Sequence, residues 1–381
     1  MKTPLALLNL LHDKTRTLVA IAGVAFAVVL VLMQLGFLNS VRLTATEIYD
    51  RLIFDVVLVS PRYLYISKAG DFPRTRLFQA ESTPGVADVR PLYLGFNFWL
   101  NRGPSEPNPS RRGIFVIGFN LEQPVFQRLP ALEGDLSPLK QPGHVYMDTF
   151  SRKQFGRWRN NDRLEVGGRR IQVTGEFGMG TGFGADGDII VADQTFVRLF
   201  PNRSLDQVSL GLVRVAPGAD PKVVAEELRR RLPPDVNVFT RRQIEDLERK
   251  HWVNRTSVGV IFSLGVVVGF IVGTAIVYQV LSSDIANHLA EYATLKAMGY
   301  GPGYLAGVVL TQALILAVLG FAPGWAISKS LYYITSKSAN IPMELGTKLS
   351  LGVLAMSIAM CSISGLASLR KVTTADPADL F

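Results

Sequence analysis

Four long runs without a charged residue constrain this chain most: residues 17–41, 256–283, 297–328 and 349–369. A bilayer core takes roughly 20 apolar residues per helix. Each run reaches that length and is apolar on every side. Lipid offers the backbone no hydrogen-bond partner, so such runs are predicted to be membrane-spanning helices. The stretch between the first two runs, residues 42–255, is charged and rich in turn residues. The layout is therefore one helix, a folded block, then three helices. The fold class expected is membrane α-helical, four transmembrane helices as one plus three, with a large extracytoplasmic α+β domain.

Charge excludes some classes. The 381-residue chain carries a formal net charge of +9. Over residues 42–255 there are 31 Lys and Arg against 25 Asp and Glu, a surplus of six spread over the block. Pairs such as Arg111-Arg112 and Arg169-Arg170 are scattered, and no basic helix marks a nucleic-acid module. A mildly basic solvated surface is the plain reading, with attraction to anionic headgroups as the alternative. The single cysteine, Cys361, lies inside the fourth run, so no intrachain disulfide forms. The first run is longer than a signal-peptide core and lacks a clear cleavage site, so it is expected to remain as an anchor.

Short-segment charge sets the orientation. Lys2, Lys14 and Arg16 precede the first run, and Arg370 and Lys371 follow the last. Both termini are expected to be cytoplasmic and the block periplasmic, in a bacterial inner membrane. The loop after the third run, with Lys329, Lys337 and Lys348 against Glu344, runs against this pattern.

The domain plan is as follows. Residues 1–16 are a cytoplasmic amphipathic segment, and 17–41 the first span, continuing helically through Ile48 and Leu52 as a stalk. Residues 42–255 are the periplasmic domain: a porter-like α/β part at 53–103 and 203–240, an inserted β-rich part at 104–202, and a second stalk at 241–255. Two such stalks would join the domain mechanically to the membrane. The second span is 256–283, a cytoplasmic coupling helix 284–303, the third span 304–328, a periplasmic loop 329–348, the fourth span 349–369 and a cytoplasmic tail 370–381. Within the domain, Asp220-Pro221 is an N-cap followed by proline at the first helical position. Gly167-Gly168 between two alternating runs signals a hairpin.

Chemistry-bearing motifs are sparse. The dipeptide Gly-Lys never occurs, so there is no Walker A loop. Residues 175–187 are glycine-rich but precede no helix start of the dinucleotide type, and a turning loop is the plain reading. His12, His144, His251 and His288 lack ligand spacing, and no metal site is expected. Asp186 and Asp188 are a common loop pairing rather than an acid–base constellation. The apolar runs hold no Asp, Glu, Lys, Arg or His, which argues against secondary transport and a proton-driven motor. Gly265, Gly269 and Gly273 recur every four residues, a helix-packing face that serves either this chain or a second copy.

The sharpest local signal is residues 284–299. Ile285, Leu289, Leu295 and Met298 form an apolar stripe, Glu291 and Lys296 lie on polar faces, and Gly299, Gly301, Pro302 and Gly303 end the segment. Such a helix suits either a docking groove on a partner or the membrane interface alone.

Here the chain resembles the MacB/FtsX/LolC-type ABC transporter permeases. Glu291, Thr294, Leu295, Lys296, Ala297, Met298 and Gly299 carry the likeness, together with Asp376-Pro377-Ala378-Asp379-Leu380 and the one-plus-three layout. Residues 54–67 look most like the cyanobacterial DevC-type permeases. The resemblance implies a homodimeric permease of an exporter that works by mechanotransmission. Two copies of a separate cytoplasmic ABC ATPase would hold the ATP and Mg, since this chain lacks the ATPase fused in MacB. A periplasmic membrane fusion protein and a TolC-like outer-membrane duct are the further partners, with glycolipid or another amphiphile as cargo. On that reading Glu291, Thr294, Leu295, Lys296, Met298 and Gly299 couple to the ATPase. The chain itself would be no enzyme and bind no cofactor, metal or nucleic acid. The rival readings are an FtsX-like signalling subunit that activates a periplasmic enzyme without transport, and a membrane-anchored hydrolase, which the missing triad and metal cluster disfavour.

Overall fold

The computed structural model describes residues 14–374 apart from 103–110, 128, 130–135, 157–163, 181–184, 288–290, 292–293, 297 and 340. The expected amphipathic start, Leu289 of the apolar stripe, Ala297 and Asp376–Leu380 fall outside the described residues. The chain divides into two compact units, Met1–Ser40 with Ser257–Phe381, and Val41–Thr256.

In chain order the main elements are α1 (Lys14–Thr44), α2 (Glu47–Arg51), β1 (Val56–Val59), β2 (Phe72–Pro73), α3 (Thr75–Glu81), β3 (Val86–Asn101), β4 (Arg112–Phe119), β5 (His144–Asp148), β6 (Leu164–Val166), β7 (Arg169–Phe177) and β8 (Asp188–Ala192). There follow α4 (Asp193–Leu199), β9 (Gln207–Val208), β10 (Leu210–Val215), α5 (Pro221–Arg231), β11 (Asn237–Thr240), α6 (Arg241–Asn254), α7 (Ser257–Asn287), α8 (Pro302–Ala339) and α9 (Thr347–Thr374).

The unit Val41–Thr256 is built on one nine-stranded sheet in the order β11-β1-β10-β3-β4-β8-β5-β7-β6. Its first four strands pair antiparallel throughout. β1-α3-β3 and β10-α5-β11 are two split β–α–β units, each with a strand of the other between its own pair. The sequence signals behave as expected here. Asp220 caps α5 by accepting a bond from Lys222 N at 2.9 Å, with Pro221 at the first position. Val224 and Leu228 then face the sheet alongside Leu77 and Ala80 of α3.

The second half of the sheet closes on itself. β3 pairs with β4 along one edge and with β6 at Trp99↔Val166, so β3, β4, β8, β5, β7 and β6 form a closed ring of six strands. Trp99, Ile114, Met147, Val166, Ile171 and Ile189 belong to its buried core. The hairpin from β6 to β7 turns on Gly167 and Gly168, with φ of 59° and 73°. Two successive positive φ values are what a tight hairpin requires and what side chains resist. The inserted part is thus not separated from the porter-like part at residue 104. β3 is one 16-residue strand that pairs with β10 at its start and with β4 and β6 further along.

Among the described residues, four helices are long and apolar enough to cross a membrane: Lys14–Thr44, Ser257–Asn287, Gly303–Ser338 and Thr347–Leu369. Val24, Val28, Val31 and Leu32 of α1 pack with Val277 and Leu281 of α7, Leu316 and Ala317 of α8, and Met360 and Cys361 of α9. Polar bonds add to this packing. Ser364 Oγ donates to the Thr274 carbonyl at 2.8 Å, and Tyr332 OH to the Leu32 carbonyl at 2.5 Å.

Three boundaries differ from the sequence expectation. The helix of α1 does not run on through Leu52; it ends at Thr44, and α2 starts afresh at Glu47. The Thr44 and Thr46 hydroxyls each donate to a carbonyl three residues back, which gives the backbone an alternative to the helical ladder. Residues 329–339 are helical, not loop: α8 runs 38 residues, about 57 Å of helix against a bilayer core of about 30 Å. Residues 284–287 continue α7 and do not begin a separate coupling helix.

Candidate functional site

Two regions concentrate what this chain has to work with: the segment after α7, and the place in the domain where the chain enters and leaves.

In the first, Glu291, Thr294, Leu295 and Lys296 are helical, and Met298-Gly299 forms the turn that ends them. Tyr300 N donates to the Leu295 carbonyl at 3.1 Å and Gly299 N to the Lys296 carbonyl at 3.0 Å. With Gly299 at φ +91°, this is a Schellman ending, in which glycine takes the left-handed position. The expected terminator therefore works by a definite geometry. The candidate residues divide in their exposure. Glu291, Thr294, Lys296, Met298 and Gly299 are exposed, Met298 by 63%. Leu295 turns inward and packs with Ile285, Leu305, Val309 and Leu369. Of the two apolar residues in the expected coupling set, only Met298 faces outward.

The glycine face is internal. A Cβ on Gly273 would stand 2.6 Å from Ala27 Cβ, and one on Gly269 3.1 Å from Val31 Cγ2, while Gly265 accommodates the Gln34 amide. Gly265, Gly269 and Gly273 thus let α7 approach α1 of the same chain.

The second region was not anticipated. α6 begins with a capping box: the Thr240 hydroxyl receives Gln243 N at 3.4 Å, and Gln243 Oε1 accepts from Thr240 N at 3.0 Å. That cap places Arg241 over the end of α2. Its guanidinium donates to the carbonyls of Tyr49 at 2.5 Å, Leu52 at 2.8 Å and Phe54 at 2.8 Å, and lies 4.0 Å over the Phe54 ring. The Tyr49 carbonyl also receives Leu52 N at 3.2 Å, while Leu52 and Phe54 lie beyond the last residue of α2. One turn-pair further along α6, buried Glu248 meets two tyrosines. Tyr63 OH donates to its Oε1, Tyr49 OH reaches the same oxygen at 3.3 Å, and the two hydroxyls bond each other. Burial pushes the Glu248 carboxyl up to about 7, opposed by hydrogen bonds from Tyr63, the Ile66 backbone, Tyr49 and Trp252. No motif announces this cluster. A capping box ahead of a helix with an internal Glu at its apolar edge was the only legible trace.

Asp186 and Asp188 do not act as a pair: Asp186 is exposed and bonds Arg152 at 2.9 Å, while Asp188 is buried. Among the described residues no group of three His, Cys, Asp or Glu is placed to hold a metal. The first residues of the glycine-rich stretch belong to β7, and Gly180, at φ +106°, lies against Glu47.

A MacB-like periplasmic core domain matches residues 17–231, and an FtsX-like permease C-terminal domain matches residues 262–377. The chain belongs to the MacB/FtsX-type ABC transporter permeases. The permease is 26% identical over 388 residues to an uncharacterised ABC transporter permease of Mycobacterium tuberculosis, covering 99% of this chain and 98% of that one. A second relative, from Mycobacterium bovis, is 25% identical over 389 residues with the same coverage. Among solved structures it is similar to the extracellular domain of the noncanonic ABC-type transporter YknZ from Gram-positive bacteria (13% identity, TM-score 0.35, 49% of this chain and 100% of that one). It is also similar to the periplasmic region of MacB from Actinobacillus actinomycetemcomitans (11% identity, TM-score 0.36, 52% and 94%). Membership in this family implies an ATPase partner; the likeness to DevC gains no support from these relatives.

Proposed function

We propose that this permease is the membrane subunit of an ATP-driven exporter that transmits motion rather than enclosing cargo. A separate cytoplasmic ABC ATPase, in two copies with ATP and Mg, docks on Glu291, Lys296 and Met298 of a homodimeric permease. The motion passes to the periplasmic core domain, which works with a membrane fusion protein and a TolC-like duct to move an amphiphile. Both termini are cytoplasmic. The observation that carries this reading is the exposed Met298 on a rigidly capped turn between two membrane helices. An apolar side chain held outward beside a carboxylate and an ammonium group suits a groove on a soluble partner.

Interface energy concentrates in a few anchors whose loss costs 2 kcal/mol or more, roughly 30-fold in affinity. Met298→Asp is therefore expected to lower co-purification of the cognate ATPase about 30-fold while the permease still inserts and folds. An undiminished complex would overturn the docking assignment. Leu295→Asp is the less specific test, because Leu295 also packs inside the bundle.

A further inference from the structure

The chain enters the unit Val41–Thr256 through the end of α1 and reaches α2 two residues later; it leaves through α6. Five-residue α2 is held from two sides by carboxyl groups. On one side is Glu248 of α6, 0% exposed. Its Oε1 faces Tyr63 and Tyr49, and the Ile66 N–H and the Trp252 side chain also point at the carboxyl. Two cations of α6 pair with other acids: Arg241 and Arg249 lie 3.9 and 3.4 Å from Glu245, and Arg249 lies 3.4 Å from Asp246. His251, one turn on, stacks on Tyr65.

On the other side is Glu47 of α2 itself. Its carboxyl lies against Gly180, whose N–H donates to Asp148 Oδ2 at 2.8 Å. Asp148 Oδ1 accepts from Phe150 N at 3.0 Å and Met179 N at 3.2 Å. Asp188, fully buried, belongs to the same electrostatic group, and Arg51 and Asp50 are the charged neighbours on α2. Keeping the buried Glu248 side chain ionised is costly, whereas a neutral carboxyl with hydroxyl partners is not; Glu47 is half-buried and has Arg51 as a neighbouring cation.

We propose that α2 is a proton-operated clasp: with Glu248 and Glu47 neutral it ties the entry segment of the domain to α6 and to the Gly180 turn, and loss of these protons accompanies its release. The clasp needs only this domain and stands apart from the ATPase docking above.

The direction in pH follows from linkage. Burial raises both carboxyls to about 7 from an ordinary 4.5, with Arg51 opposing and Asp148 assisting at Glu47. A raised carboxyl stabilises the closed form fully below its ordinary pKa, and that stabilisation drains away as pH climbs to the raised value. Opening therefore grows up to about tenfold per pH unit per carboxyl between about 4.5 and about 7, then levels off. The extracytoplasmic face of a cell meets that range.

The test uses the full-length permease in nanodiscs. Amide exchange of residues 46–54 and 241–254 is followed across this range after correction for intrinsic rates. The wild type is expected to lose protection toward neutral pH and then plateau. Glu248→Gln, which keeps the shape but cannot ionise, is expected to flatten the slope in 241–254, and Glu47→Gln to reduce it in 46–54. An unchanged slope in both variants, or a flat wild type, overturns the clasp. Should Glu248→Gln not fold, infrared spectra of the wild type decide. A protonated-carboxyl band that persists at pH 6 and weakens in Glu47→Gln supports it, and absence of that band at pH 6 sinks it.

Discussion

Arg241 shows how one side chain organises a junction that its neighbours in sequence do not announce. Three carbonyls of residues 49–54 take their donors from it. Charge-assisted bonds of this kind are worth more than neutral ones, and their removal leaves buried acceptors unmet. Arg241→Ala is expected to destabilise the domain by roughly 2–3 kcal/mol, seen as a lowered unfolding temperature of the purified permease. Arg241→Lys should recover only part of this, because an ammonium does not span three acceptors with a planar fork. In the bundle, Gly273 is the sensitive position. Gly273→Leu forces a side chain into Ala27 and Met360. An overpacking cost of roughly 1–3 kcal/mol is expected, read as a loss of thermal stability in detergent. A stable, well-behaved Gly273→Leu would show that α7 and α1 do not pack this closely. Arg241 reads in sequence as one more charge in a charged helix; its role depends on where α2 ends.

At the scale of elements, local chemistry and tertiary context part company. Asp220, Thr240, Gly167-Gly168 and Gly299 act where their residue types indicate, because caps and tight turns are satisfied within a few residues. Gly299→Val is expected to fray the end of the segment after α7 at a cost of about 1–2 kcal/mol, since a β-branched residue resists the left-handed conformation. The readout is weaker ATPase co-purification with an unchanged outer domain. The break between α1 and α2 was less legible. Its apolar spacing through Ile48 and Leu52 fits one continuous helix, but Ile48 and Tyr49 are drawn into the domain core. Likewise α8 outruns its apolar stretch, because Lys329 and Lys337 lie over the rings of Trp325 and Tyr333 and the helix needs no apolar surface there.

For the whole molecule, the orientation argument rests on the basic residues at the two ends. With Cys361 replaced by Ala, a cysteine at exposed Asn202 is expected to react with a membrane-impermeant maleimide added from outside. Labelling only after permeabilisation would reverse the topology. Purified permease alone is expected to show no ATP hydrolysis above background, since the chain has no Gly-Lys loop; hydrolysis that tracks the pure protein would refute that.

The membrane layout, the separate folded block, the α/β character of its two ends and the family were legible in the sequence, because apolar length and local turn chemistry are properties of contiguous residues. Only tertiary structure decided that β3 is shared by both halves of the sheet, that six strands close, that the glycine face serves its own chain, and that Leu295 faces in and Met298 out. The Tyr49–Tyr63–Glu248 cluster belongs with these. Its members lie up to 199 positions apart, and nothing in a linear pattern records which distant side chains a closed core excludes from water.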